Sequence, residues 1–268
     1  MNFFSISLFQ GKYLDFLESI KNPNQKTLVF TPNPEIFVHA SRDTEFLEIL
    51  EKATYNTPDG TGLYVGSMMG EGMGFFESGM RAFFHKKQVE SKYGELIKGS
   101  DLTRDLFNFS EKNGNHILMI DSYRITNPQN SFEIRKKEIQ SNLKNLLSQK
   151  FPNLLISLVF DGDKTPEELA ELIQRENISY VFSCLGMKKQ EERLVQIWGY
   201  LPESIPVVGF GVGASIDFLL GLQKRAPYIF QKFGLEWLYR LILEPRKRWK
   251  RIHMALIEFP KLIKNTSK

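Results

Sequence analysis

One cysteine in 268 residues, Cys184, leaves no partner for an intrachain disulfide and excludes a cysteine-rich zinc site. That scarcity suits a reducing compartment. Histidine is scarce too: His39, His85, His116 and His253 have no metal-ligand spacing, and no HExxH, P-loop or G-x-S-x-G occurs. No window of 18 apolar residues is present, so no membrane-spanning helix is expected. The opening MNFFSISLFQGKYLDF lacks the basic and long apolar regions of a signal peptide. Acid is thin at one end. From Glu244 to Lys268 eight Lys/Arg face two Glu, a local balance of +6 within a net +4, so the preceding residues are slightly acidic.

What is present suffices for a large core, with 42% hydrophobic residues. Short apolar runs read as buried strands: TLVF (27–30), HILMI (116–120), LLISLVF (154–160), YVFSCL (180–185) and PVVGF (206–210). Helical patterns alternate with them. TEFLEILEKA begins at Thr44, a candidate N-cap, and Thr165-Pro166-Glu167-Glu168 combines a cap, Pro at the first helical position and a capping-box Glu. Strand and helix in alternation predict an α/β fold, a doubly wound parallel sheet flanked by helices. Functional residues in such sheets gather at the carboxyl ends of the strands.

Two regions depart from that pattern. YVGSMMGEGMGFFESGMRAFFHKK (64–87), rich in Gly, Met and Phe, reads as a long mobile loop or an insertion with a short helix. In the C-terminal segment Trp249, Ile252, Leu256, Phe259 and Ile263 recur at helical spacing, with Arg246, Lys247, Arg248, Lys250 and Arg251 crowding the first turns. Pro260 is expected to kink or end this helix. The division expected is a core of 1–222 and a basic, amphipathic helical appendage of 223–268.

Four segments follow predicted strands. In FTPNPE (30–35), Asn33 precedes Pro34 and is well placed to cap a helix; a cap accounts for it as well as any function does. In NTPDGTG (56–62), Asp59 lies in a turn-forming Pro-Asp-Gly, yet a loop carboxylate followed by glycines is also a suitable general base. GMKKQEER (186–193) opens a helix whose N–H groups, with Lys188, Lys189 and Gln190, could receive an anion. VVGFGVGAS (207–215) satisfies G-x-G-x-x-A through Gly209, Gly211 and Ala214, but it lies late in the chain and no acid follows at the required distance. A glycine turn approaching a phosphate or nucleotide remains. Asp161-Gly162-Asp163 has the spacing of a divalent-cation site, and a turn is the favoured reading.

In order along the chain, TPNPE, PDG-x-G, G-x-DL (Gly99, Asp101, Leu102), LG-x-x-x-QE, G-x-G-x-x-x-D and RAP…GLEW-x-YR…EP-x-x-R closely resemble the WecG/TagA/CpsF family of bacterial glycosyltransferases, from about Thr27 to Arg251. The resemblance implies a Rossmann-like α/β core and a C-terminal appendage that meets the membrane. It implies an inverting, metal-independent transferase without a cofactor. Its donor would be a UDP-N-acetylhexosamine, typically N-acetylmannosamine or its uronic acid. Its acceptor would be N-acetylglucosamine linked through diphosphate to undecaprenol, with the product feeding wall teichoic acid or a surface polysaccharide. By matching position, Asp59 is the catalytic base, Thr31 and Asn33 orient substrate, and Gln190 belongs to the pocket. Gly209, Gly211, Gly213 and Asp217 lie in a matching region. The chain departs from the family where an Arg usually precedes G-x-DL: Leu96 stands there. Lys98, Arg104, Arg240, Lys247 or Lys250 would then meet the leaving diphosphate.

A lipid-linked acceptor stays in the bilayer, so the resemblance places the protein in the cytoplasm, peripheral on the inner face of the plasma membrane. Arg246, Arg248, Trp249 and Arg251 would contact the anionic surface. A nucleic-acid partner is not expected, because the basic residues lie on one terminal helix with no recognition fold; a homo-oligomer is left open. The competing readings are an NAD-dependent oxidoreductase using Gly209–Ala214 and an impaired relative that binds UDP-sugar without turnover.

Overall fold

The structure, a computed structural model, describes residues 1–122, 132–213, 215–222, 226, 227, 230 and 236–266; of 132–140, Arg240 and Lys247 it describes the backbone alone. The chain opens with β1 (Asn2–Phe3), β2 (Ile6–Ser7), α1 (Tyr13–Lys21), β3 (Thr27–Phe30), α2 (Pro34–Ala40), α3 (Thr44–Glu51) and β4 (Tyr55–Asn56). Helices α4 (Gly62–Gly70), α5 (Phe75–Phe84), α6 (Lys86–Tyr93) and α7 (Gly99–Asn113) follow. Alternation then sets in: β5 (His116–Asp121), α8 (Phe132–Lys150), β6 (Leu155–Phe160), α9 (Pro166–Arg175), β7 (Ile178–Ser183), α10 (Lys189–Trp198), β8 (Val208–Gly211) and α11 (Ser215–Leu219). The described C-terminal segment holds α12 (Glu236–Leu243), α13 (Pro245–His253), a π-helical turn (Met254–Glu258) and α14 (Phe259–Thr266). Two compact units result, one of residues 1–16, 31–98 and 224–268, the other of 17–30 and 99–223.

The second unit carries the α/β pattern. Its strands run parallel in the order β3-β8-β7-β5-β6, and each of the five apolar runs of the sequence overlaps one of them. Strands β3 and β8 are buried at every residue, which is why they read as unbroken apolar runs rather than alternating ones. Phe182 stacks on Phe210 at 5.1 Å and meets Phe107 at 5.0 Å, tying β7 to β8 and α7. Helix α9 starts where its capping box predicts: Glu168 N–H donates to Thr165 Oγ1 at 3.2 Å and Thr165 N–H to Glu168 Oε2 at 2.6 Å. From β5 the chain moves outward to β6 and returns on the other side to β7, so the carboxyl ends of β5 and β7 flank a switch point.

The first unit is built on close helix contact. Phe3, Phe37 and Phe259 cluster, with ring centroids 5.0 Å apart for Phe3–Phe37 and 5.3 Å for Phe3–Phe259. The stretch 64–87, expected as loop or insertion, is instead helical through α4, α5 and the start of α6. Its glycines explain the difference. Gly62 and Gly66 share one face of α4 at i,i+4 spacing, and a Cβ on Gly66 would lie 2.5 Å from the Phe259 ring, one on Gly62 2.7 Å from Pro34. They permit close packing, which offsets their poor helix propensity. Helix α3 is capped one residue earlier than expected, by Asp43, whose Oδ1 accepts the Phe46 N–H at 3.0 Å; Thr44 is the first helical residue.

The C-terminal stripe is also altered. Pro260 does not end the helix, because the π-helical turn precedes it, with the Phe259 N–H bonded to Met254 O five residues back. The extra residue in that turn shifts the phase of the stripe. Met254, Phe259 and Ile263 are buried, whereas Trp249 and Leu256 stay exposed. Among the described residues no helix is long and apolar enough to cross a membrane.

Paired glycine substitutions test this account of α4. Gly66→Ala should destabilise the protein by about 1–3 kcal/mol through overpacking against Phe259. Gly79→Ala, in α5 with no atom within 4 Å of the added carbon, should stabilise it by roughly 0.5–1 kcal/mol. Urea unfolding of both reads the two signs; equal signs would remove close packing as the reason for Gly66.

Candidate active site

In the first unit three of the sequence motifs converge. Asn33 caps α2, its Oδ1 accepting the Ile36 N–H at 3.1 Å, with Pro34 in the first turn. The cap expected on purely structural grounds is therefore real, and it fixes the orientation of the Asn33 amide. Asp59 N–H donates to Pro32 O at 3.1 Å, and Ile97 N–H to Pro58 O at 2.8 Å. These two bonds hold TPNPE, PDG and the ELIKG stretch together, and Thr31, Asn33 and Asp59 are each half-buried. Glu95 anchors the third strand of chain from the other side: its N–H donates to Gly11 O at 2.8 Å and its Oε2 accepts the Tyr13 N–H at 2.8 Å. Gly94 has φ +83° and lies against Gly11 and Gln10 too closely for a side chain. The Tyr64 hydroxyl donates to its carbonyl at 2.7 Å, and burial pushes that phenol well above its ordinary range.

Lys98, one of the cations expected to replace the family arginine, forms an ion pair with Glu236 at 3.1 Å. Glu236 belongs to the GLEW motif, a link the sequence did not reveal. Two further pairs involve the basic run: Arg251 Nε with Glu35 at 2.5 Å and Arg248 with Glu244 at 3.3 Å. Arg246, Trp249 and Lys250 are exposed. The side chains of Arg240 and Lys247 lie outside the description.

The second unit holds the other candidates. Gln190, buried in the first turn of α10, accepts the Gly213 N–H through Oε1 at 2.8 Å and donates through Nε2 to Glu191 Oε1 at 2.6 Å. The glycine loop after β8 is thus held by a glutamine, which is held in turn by a carboxyl only 1% exposed. Gly211 lies against both: a Cβ there would sit 3.1 Å from Gln190 Nε2 and from Glu191 Oε1. Gly209 has another reason to be glycine, since a Cβ would meet the Trp198 ring at 2.4 Å. Ala214, the last position of the dinucleotide-like fingerprint, lies outside the description.

Lys188, before α10, has φ +68° and ψ −57°, a strained conformation for a residue with a side chain. Asp217 is buried in α11. At the carboxyl end of β5, Asp121 is buried and accepts the Ser122 N–H at 2.7 Å; its only sequence signal was its place at a strand end beside the switch point. Asp161 of the D-x-D is engaged by Lys189 at 2.7 Å, with Arg193 3.7 Å away. Arg104 pairs with Asp101 and Asp105 on its own helix.

Glu191, the second residue of the motif's QE pair, is a site residue that the sequence does not single out. Burial lifts its carboxyl from 4.5 to about 7; bonds from Gln190 and from the Glu191 and Lys188 backbone partly oppose the shift, and neighbouring Glu192 adds to it. The folded chain therefore holds this proton between about pH 4.5 and 7, where the unfolded chain has released it. Stability should fall as pH rises through that window and level off above it. At ~1.4 kcal/mol per pH unit the fall is about 3 kcal/mol. Urea unfolding at pH 5, 6 and 8 should show this slope in the wild type and its loss in Glu191→Gln; an unchanged slope would place the proton elsewhere.

Comparison with known proteins follows the same motifs. The model described as "Glycosyl transferase WecG/TagA/CpsF family" matches residues 1–74 and 78–266, leaving only 75–77 of the Met/Phe-rich stretch unmatched. An N-acetylglucosaminyldiphosphoundecaprenol N-acetyl-beta-D-mannosaminyltransferase of Bacillus subtilis (strain 168) is 27% identical over 243 residues, 90% of this chain and 80% of the relative. A protein of the same name from Staphylococcus aureus (strain NCTC 8325 / PS 47) is 26% identical over 245 residues, 89% and 81% of the two chains. Matched along nearly its whole length, the chain belongs to the WecG/TagA/CpsF family of glycosyl transferases.

Proposed function

We propose that the protein transfers an N-acetylhexosamine, N-acetylmannosamine or its uronic acid, from UDP to N-acetylglucosamine carried on undecaprenyl diphosphate, with inversion at the anomeric carbon. The names of the two relatives support the acceptor and the N-acetylmannosaminyl group. The observation that carries the mechanism is the pair of backbone hydrogen bonds fixing Asp59 beside the Thr31–Asn33 loop. An acceptor hydroxyl attacks the anomeric carbon from the face opposite UDP. As the new C–O bond forms, Asp59 takes the hydroxyl proton, and the old bond's electron pair leaves on the diphosphate. Asn33 uses its carbonyl oxygen in the α2 cap, which reserves its amide N–H groups for the sugar.

The leaving diphosphate needs donors or cations. Lys98, the nearest cation in sequence to the missing arginine and balanced by Glu236, is the candidate for this in the unit that carries Asp59. A metal-independent reaction is supported by the D-x-D, whose Asp161 is taken by Lys189. An oxidoreductase reading has less support, because Gly209 answers to Trp198 rather than to a pyrophosphate. The enzyme would meet its acceptor at the inner membrane face, through exposed Arg246, Trp249 and Lys250 of 223–268.

Transfer should be measured from a panel of UDP-sugars to a lipid-diphosphate-GlcNAc analogue, with and without EDTA. Asp59→Asn should lower turnover by about 10² to 10⁴-fold at an unchanged melting temperature, and EDTA should have no effect. Undiminished transfer by the variant would remove Asp59 as base. Membrane contact is better tested by substitution than by deletion, because removing the segment would also strip Phe259 from the Phe3–Phe37 cluster. Arg246→Glu with Lys250→Glu should weaken binding to anionic vesicles by roughly tenfold or more; unaltered binding would exclude this contact.

A further inference from the structure

Helix α5 is turned inside out. It buries Ser78 and Ala82, the small residues of FFESGMRAFF, and leaves Phe75, Phe76, Met80, Phe83 and Phe84 exposed. Phe76 is 80% exposed and Phe84 63%. At about 100° per residue these five side chains occupy one continuous half of the helix. Scattered exposed apolar residues need no explanation, but four phenylalanines on one short helix do.

The rim of this face is basic. Arg81, His85, Lys86 and Lys87 are all exposed around it. Two acids reach the same rim, Glu77 paired with Arg81 and Glu90 paired with Lys86, each at 3.3 Å. Over 74–90 three Lys/Arg stand against two acids, a balance of +1, with Lys87 outside both pairs. A second copy meeting this face across a two-fold axis would set one basic rim against another. An anionic leaflet complements it, and aromatic rings settle well at the boundary between headgroups and acyl chains.

We infer that α5 is a membrane-docking helix that inserts its phenylalanine face into an anionic bilayer surface, as an anchor separate from the C-terminal basic segment. The same unit carries exposed Ile242, Leu243 and Trp249 on α12 and α13, so two separate stretches of its sequence present apolar side chains beside cations. A single weak anchor binds reversibly, and two signals together give stable attachment. The inference rests on the proposed lipid-linked acceptor for its purpose, but vesicle binding can be measured without any sugar substrate.

The full chain is mixed with phosphatidylcholine vesicles with and without 30% (roughly physiological) phosphatidylglycerol, and the bound fraction is read by sedimentation. Wild type should bind the anionic vesicles, and Phe76→Asp with Phe84→Asp should reduce the partition coefficient about tenfold or more. Trp249→Ser should reduce it independently, the two losses multiplying. Insertion has its own readout: Cys184 is buried, so Phe76→Cys supplies one accessible thiol for a polarity-sensitive dye, whose emission should shift to the blue on anionic vesicles. A water-soluble acceptor separates this from the transfer reaction, since the Asp pair should keep its turnover on that acceptor. Vesicle binding unchanged in the Asp pair, or no dye shift, overturns the inference. So does light scattering showing a wild-type dimer that the Asp pair splits while vesicle binding persists.

Discussion

The Pro32 carbonyl accepting the Asp59 N–H is a single bond of ordinary length, 3.1 Å, and the geometry of the candidate catalytic loops hangs on it. Its companion, Ile97 N–H to Pro58 O, closes the next turn of chain. Both acceptors belong to prolines, which have fixed φ and no N–H. A further proline, Pro34, opens α2 behind Asn33 and packs against Gly62. The loops therefore lose little conformational freedom on folding, and each carbonyl has one role. A carboxylate proposed to take a proton from an acceptor gains from such stiffness, because a displacement of an ångström would cost more than the bond itself contributes.

The second unit solves its positioning problem with side chains instead. Gly213 cannot be held by a side chain of its own, so Gln190 reaches across to its N–H, and Glu191 fixes which end of the Gln190 amide faces the loop. The chain of bonds assigns roles: amide oxygen toward the glycine, amide nitrogen toward the carboxyl. Burying Glu191 is unfavourable, as its raised pKa records. A hydrophobic residue would cost less there and would leave the Gln190 amide free to turn over. The penalty accompanies specification of one orientation.

Much of this was legible in the sequence, and the residues show why. TLVF and HILMI lie in strands buried on both faces, so composition alone marks them, whereas the edge strand β6, from LLISLVF, is buried only at its carboxyl end. Thr165 and Asn33 announce helix starts because capping is local chemistry. The failures have a common cause in tertiary contact. Gly66 reads as a loop residue in sequence, and its reason, Phe259, lies 193 positions further along the chain. Trp249 and Phe259 share a helical stripe on paper, yet one is exposed and the other buried, because a π-helical turn intervenes. Lys98 and Glu236 carry no mark of each other in sequence. Glu191 has no local mark either: a charged residue in a first helical turn is usually solvated, and this one is buried.

The same distinction reorganises the basic tail. Read as a count, Glu244–Lys268 is a patch of +6. Read by partner, it divides. Arg251 is drawn to Glu35, next to the Asn33 cap, and Arg248 to Glu244, so these two guanidinium groups order the tail within its own unit and add little net field outside it. Arg246 and Lys250 remain exposed beside Trp249, and they supply the attraction that an anionic surface can feel. Exposed pairs are worth little individually. Glu35 is the better-shielded partner, its side chain only 12% exposed, which makes Arg251 the tail residue most firmly tied to the loop that carries Asn33. A charge run can therefore hold a domain together and face a membrane at once, with the neighbouring acids deciding which cation does which.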